Sequence, residues 1–287
     1  MIRRLIYLIL AALLACGLGS GVAQSSGPAP GAPLPNAVEL LQRALANERK
    51  LAEERERYEC RITDLTVETD SHGNTKKTTT LVREQFFVNG IAIERTLQKN
   101  GQDLSADETK KEDDRVMKET LKYNDQATAK KQGDKQIQEV EDFIQAVMLA
   151  NGHREQINGR GILIYDIVPN PRFAAKNVNQ RLAQVLQGKI SIDEQTGEPI
   201  DINLKTVADL KIGGGFVANV HKGLWLHVHN HPESDGVWLT DLSEGSGDAR
   251  AALFLHPYFR FKEIIDNCRL YSATAVQVGP VRPVKKP

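Results

Sequence analysis

Cysteine and tryptophan are scarce in this chain of 287 residues, three and two in all, and aromatic residues make up only 6%. Three cysteines are too few to staple a miniprotein. Neither sign of charge dominates either, since 37 basic side chains meet 37 acidic ones. Without a basic excess, counterion release cannot drive wholesale binding to nucleic acid or to an anionic membrane, and no nucleic-acid partner is expected. The main apolar run, Leu5 to Ala15, is well short of the ~20 residues that span a bilayer. Motifs of common enzymes are missing as well. The chain has no phosphate-binding loop, no Gly-x-Ser-x-Gly elbow, no His-Glu-x-x-His and no dinucleotide fingerprint, and Gly213-Gly214-Gly215 has the spacing of a turn. No catalytic residue and no cofactor is expected.

What is present is 40% hydrophobic residues, enough at this length to bury a core. Disorder and collagen are thereby excluded. Arg3 and Arg4 ahead of the Leu5–Ala15 run read as a secretory signal peptide over residues 1–23. Two exits compete. Gly21-Val22-Ala23 fits ordinary cleavage, whereas Leu13-Leu14-Ala15-Cys16 resembles a lipobox in which Cys16 would be acylated and anchored. Residues 24–35, rich in proline, glycine and serine, read as a linker. Residues 36–273 are expected to form one domain and 274–287 a flexible tail. Loss of Arg3 and Arg4 with the leader leaves the mature chain slightly acidic.

Asn36 and Glu39 have the spacing of a capping box, followed by apolar residues at helical intervals to about Arg57. Alternation takes over from Tyr58. Tyr58–Thr69, Lys76–Val88 and a strand from Ile91 predict a three-stranded meander, with Asn89-Gly90 as a two-residue hairpin turn. Ser105 and Glu108 form a second capping box before a highly charged helix, and Gln136–Ala150 shows one apolar stripe. Beyond residue 154 strands return. Asn177–Gln187 reads as a helix and Lys189–Asp193 as a strand. Ile200 to Ile212 alternates over 13 residues, which predicts a strand of about 43 Å. A second long strand is expected from Phe216 to Val228. Val237–Leu242 and Ala251–Ser272 complete the set, with Gly245-Ser246-Gly247 as a turn between them.

One long helix opens this order, followed by a meander from Tyr58 with an Asn100–Ser105 stretch before a charged helix. A central helix, a loop with Pro169 and Pro171, and the Gly188–Asp193 strand before a long strand pair complete it. The arrangement resembles the bacterial outer-membrane lipoprotein-sorting proteins, of LolA/LolB/RseB-like fold. The resemblance implies an α+β architecture: an incomplete antiparallel β-barrel, a strongly curved sheet of about 11 strands whose concave face is covered by helices. It implies a periplasmic carrier for lipid or lipoprotein acyl chains, exchanging with a membrane-bound donor or acceptor protein. A protein-interaction adaptor or sensor on the same fold is the alternative.

If helices leave the concave face open, parity assigns its lining to Phe86, Val88, Ile91 and Ile93. It adds the even-numbered Ile202, Leu204, Leu210, Val220, Leu224, Leu226 and Val228. His227, His229 and His231 alternate on the opposite face and offer a rival, a metal site for a hydrolase. No acidic residue stands at matching spacing until Glu233, and His256 has less support still. Cys60 and Cys268 stand in the first and last strands. They are either a disulfide or two buried thiols, and a catalytic cysteine is not indicated.

Overall fold

The computed structural model describes residues 33–37, 39–43, 45, 54–70, 72–212, 218–251 and 258–270. The expected leader with Cys16, most of the linker, the tail from 274, the glycines 213–215, Phe216 and His256 lie outside the described residues.

The architecture is one large open antiparallel sheet. Its strands are β1 (Tyr58–Thr69), β2 (Thr75–Val88), β3 (Ile91–Lys99), β4 (Gln102–Asp103), β5 (Val147–Ile157), β6 (Arg160–Pro169) and β7 (Leu186–Asp193). The remainder are β8 (Pro199–Thr206), β9 (Leu210–Ile212), β10 (Ala218–Val220), β11 (Trp225–Pro232), β12 (Trp238–Ala251) and β13 (Tyr258–Leu270). Helices α1 (Ala106–Asn124), α2 (Gln126–Ala146) and α3 (Val178–Ala183) accompany them among the described residues. The described residues between 37 and 45 are also helical, with the Glu39 amide donating to Asn36 Oδ1 at 3.4 Å.

The strand order is β4-β3-β2-β1-β13-β12-β11-β8-β7-β6-β5, and β4 and β5 at its two ends do not pair. β1, the first strand, therefore lies beside β13, the last, in antiparallel register from Tyr58↔Leu270 to Thr69↔Tyr258. Register also defines two faces. Ile62 pairs with Ile265, Ser243 with both Glu263 and Val228, Val228 with Ile202, Ile202 with Ile190 and Ile190 with Tyr165. These residues share the inner face. Over β5–β8 and β11 this face is packed solid. Leu163, Tyr165, Ile202, Leu226 and Val228 pack with Phe143 and Ala146 of α2, Leu182 and Ala183 of α3, and Leu40. Each such fully buried aliphatic side chain contributes roughly 1.5–3 kcal/mol.

Local chemistry explains many boundaries. Asn89 and Gly90 both take positive φ, 47° and 79°, the geometry of a type I′ hairpin turn, and Asn158-Gly159 repeats it between β5 and β6. α1 begins where expected, with both halves of the Ser105–Glu108 capping box formed.

Four expectations give way. The second apolar helix starts at Gln126 rather than 136, because Asp125 caps it by accepting from the Thr128 amide, and it ends at Ala146. Val147 onward pairs with β6 instead. The 186–187 end of the predicted third helix belongs to β7. The long strand expected over 200–212 is two, β8 and β9, and its partner is likewise β10 and β11. At the break the Thr206 hydroxyl donates to the His221 carbonyl and accepts from the Leu224 amide, while Asp209 accepts from the Lys222 amide. Gly245-Ser246-Gly247, read as a turn, lies inside β12. A Cβ on Gly245 would stand 2.6 Å from the Trp225 carbonyl, and one on Gly247 would stand 2.6 Å from Leu224 Cγ. These glycines permit close approach of neighbouring chain.

Candidate functional site

The inner face is not covered uniformly. Over β1–β3, β12 and β13 it borders an open cavity of about 140 Å³. The apolar wall is made by Tyr58, Cys60, Ile62, Phe87, Leu239 and Ile265, and Ala92 stands exposed at its edge. Gln85, Glu94, Thr240, Ser243, Glu263 and Arg55 supply the polar atoms.

The elements that build this wall follow from register. Cys60 pairs with Gln85 and Gln85 with Glu94, so Cys60, Ile62, Gln85, Phe87, Ala92 and Glu94 share the inner face. Phe86, Val88, Ile91 and Ile93 take the opposite face, which corrects the lining assigned to them by parity. Ile91 and Ile93 are buried, in the strand that packs with α1 and α2. Ile202, Leu204, Leu210, Val220, Leu224, Leu226 and Val228 do stand on the inner face, but they belong to its packed core. None of these eleven residues borders the cavity. Sequence parity found the apolar face of β8 and β11 without showing that helices fill it.

Below the wall lies a charged cluster. Arg83, 1% exposed, donates to Glu263 Oε1 at 2.9 Å and Asp64 Oδ2 at 3.3 Å, and also bonds Glu94. Asp64 and Glu263 are themselves buried. Tyr58 donates to Asp235 Oδ1 at 2.6 Å. Burial and this bond push the Tyr58 phenol well above its ordinary pKa, so it stays neutral, and the same bond lowers Asp235. No sequence signal marked this cluster, because its four members come from β1, β2, β3 and β13.

Cys60 and Cys268 are joined as a disulfide, which resolves the alternative left open by sequence. The bond sits where β1 and β13 slip register, between Glu59 and Arg61.

The histidine stripe occupies the outer face. His227 meets Asp201 Oδ1 at 2.6 Å and Glu244 Oε1 at 3.3 Å, His229 meets Asp241 Oδ1 at 2.6 Å, and His231 meets Glu233 Oε1 at 3.3 Å. The acidic partners absent from the local sequence are thus delivered by β8 and β12. Burial opposes charging of His227, but the bonds to Asp201 and Glu244 outweigh it and raise its pKa. Among the described residues no three His, Cys, Asp or Glu side chains converge as a metal site. The stripe is a row of histidine–carboxylate contacts.

Among the described residues no helix is long and apolar enough to cross a membrane, which says nothing of crossing by strands. No family model and no curated protein matches the chain. It is similar to solved structures over 83% of its length. One is a domain named for outer membrane lipoprotein sorting, from Vibrio parahaemolyticus, with 11% identity, 94% of that chain covered and a TM-score of 0.37. A DUF1329 family protein from Desulfovibrio piger gives 10%, 92% and 0.36. MucB in complex with MucA(peri) gives 11%, 100% and 0.20.

Proposed function

We propose that the chain is an extracytoplasmic binding or carrier protein that holds an apolar ligand non-covalently, the acyl chain of a lipid or lipoprotein. The cavity carries this reading, because there the inner face keeps an apolar wall that borders free volume. A cavity near 150 Å³ accepts a benzene-sized group, and whole small molecules usually occupy ~300 Å³ or more. With about 140 Å³, the site takes a short chain or one end of a long one. Extended along the sheet, the remainder would stay accessible to a membrane-bound donor or acceptor. The disulfide supports an oxidising compartment, as does the leader read from sequence.

Lipid extraction and native mass spectrometry of protein secreted with its own leader should recover a co-purifying lipid. Ala92→Trp fills the cavity edge without entering the core, so it should abolish uptake of the neutral dye Nile red while thermal unfolding stays unchanged. Undiminished uptake by that folded variant overturns the assignment of the cavity.

A further inference from the structure

The polar atoms around the cavity carry information that its apolar wall does not. Ser243 borders the cavity, is 1% exposed, and its Oγ has no hydrogen-bond partner. Its register partners are Glu263 on β13 and Val228 on β11, which places the hydroxyl on the inner face beside the charged cluster. Thr240, the other hydroxyl there, is already committed to Asn230 Oδ1 at 2.7 Å. A buried hydroxyl left unpaired is costly, so a ligand atom that bonds it gains what the free protein forgoes.

Charge narrows the choice of that atom. Glu94 and Glu263 border the cavity, and with Asp64 they surround Arg83, so one guanidinium stands against three carboxylates. With Arg55, which also borders the cavity, two positive groups meet three negative ones among the described residues of this cluster. In a partly desolvated wall this excess favours a cation and repels an anion more strongly than it would in water. An ammonium group satisfies both demands. It donates to Ser243 Oγ and to a carboxylate oxygen, and it brings positive charge to a cluster richer in carboxylates. A fatty-acid carboxylate or a phosphate can accept from Ser243 Oγ, but it sets its negative charge against the Glu94 and Glu263 carboxylates.

We propose that the cavity selects an amphiphile with an amine-bearing, cationic head. The head lies against Ser243, Glu263 and Glu94, and the hydrocarbon runs along Ile62, Phe87, Leu239 and Ile265. This deepens the carrier reading and rests on it.

The test compares dodecylammonium, dodecanol and laurate, equal in chain and different in head, by isothermal titration calorimetry below their micellar concentrations. Dodecylammonium should bind about tenfold tighter than dodecanol, as one charge-assisted hydrogen bond provides, with laurate weakest. Glu94→Gln should narrow the gap between amine and alcohol. Ser243→Ala should act in opposite directions on two measurements, raising the thermal midpoint of the ligand-free protein and weakening dodecylammonium. Laurate binding as tightly as dodecylammonium overturns the head-group inference and leaves the carrier reading standing. Binding of none of the three, with Nile red still taken up, does the same. Failure of all four probes, with no lipid extracted, ends both. Unchanged amine binding in Ser243→Ala removes Ser243 from the site.

Discussion

His227 shows how one side chain couples the outer face to pH. Its ring is held between carboxylates from two neighbouring strands, Asp201 of β8 and Glu244 of β12, and Glu244 in turn meets Lys262 of β13 at 3.8 Å. With the folded-state pKa raised, the stabilisation is complete below the unfolded value of about 6.5 and is lost as pH climbs through the folded value. The thermal midpoint should therefore fall as pH rises above about 6.5 and through the folded value, and His227→Gln should flatten that decline. Equal slopes for both proteins would remove His227 from the pH response. Arg83 works at the same scale on the inner face. Truncating it to Met leaves Asp64 and Glu263 buried without their common cation, so Arg83→Met should lower the unfolding free energy by roughly 3–5 kcal/mol in urea. Neither role was visible in sequence, where Arg83 is one cation in a polar strand and His227 has no acidic neighbour.

Among the elements, α1 is the most instructive because its polarity is structural. Its sequence predicts a helix lying over the surface, with Val116 as its one buried residue among those described. In the fold it covers the edge of β3 that β4 is too short to pair. Glu112 accepts from the Thr96 amide at 2.6 Å, and Arg115 bonds the Glu94 carbonyl. A free strand edge invites pairing with other chains, and charged side chains from a helix block it. The Arg115 guanidinium holds the Glu112 carboxyl down to about 2, against burial. Its stabilisation is thus present above the unfolded carboxylate value and lost as pH falls through the folded one. Ser105→Ala removes the cap of this helix and should cost about 1 kcal/mol, read as faster amide exchange in the first turn of α1. The hairpin at Asn89-Gly90 was legible because positive φ is a local demand. The end of α2 was not, since Val147–Ala150 continue its apolar content and only pairing with β6 makes them strand.

For the whole molecule, the ends of the chain determine the middle. Placing β13 between β1 and β12 joins the β1–β4 meander to the rest of the sheet, and the Cys60–Cys268 bond fixes that junction across 208 residues. Breaking so long a loop should destabilise the protein by roughly 2–5 kcal/mol, measured as a lower urea midpoint in reductant or in Cys60→Ala/Cys268→Ala. The same junction creates the cavity. Helices α2 and α3 close over the β5–β8 side, while the buried Tyr58, Ile62 and Leu239, with Ile265, border the cavity on the other side.

The sequence by itself determined most of the strand segments, several of their turns, and that one face of β8 and β11 is apolar. Those features depend on residues within a few positions of one another. Only the tertiary structure decided which part of the apolar face is filled by helices and which borders a cavity, which carboxylates meet Arg83 and His227, and that Cys60 reaches Cys268. These depend on strand order and register, which bring together side chains as far as 208 residues apart and leave no periodic trace along the chain.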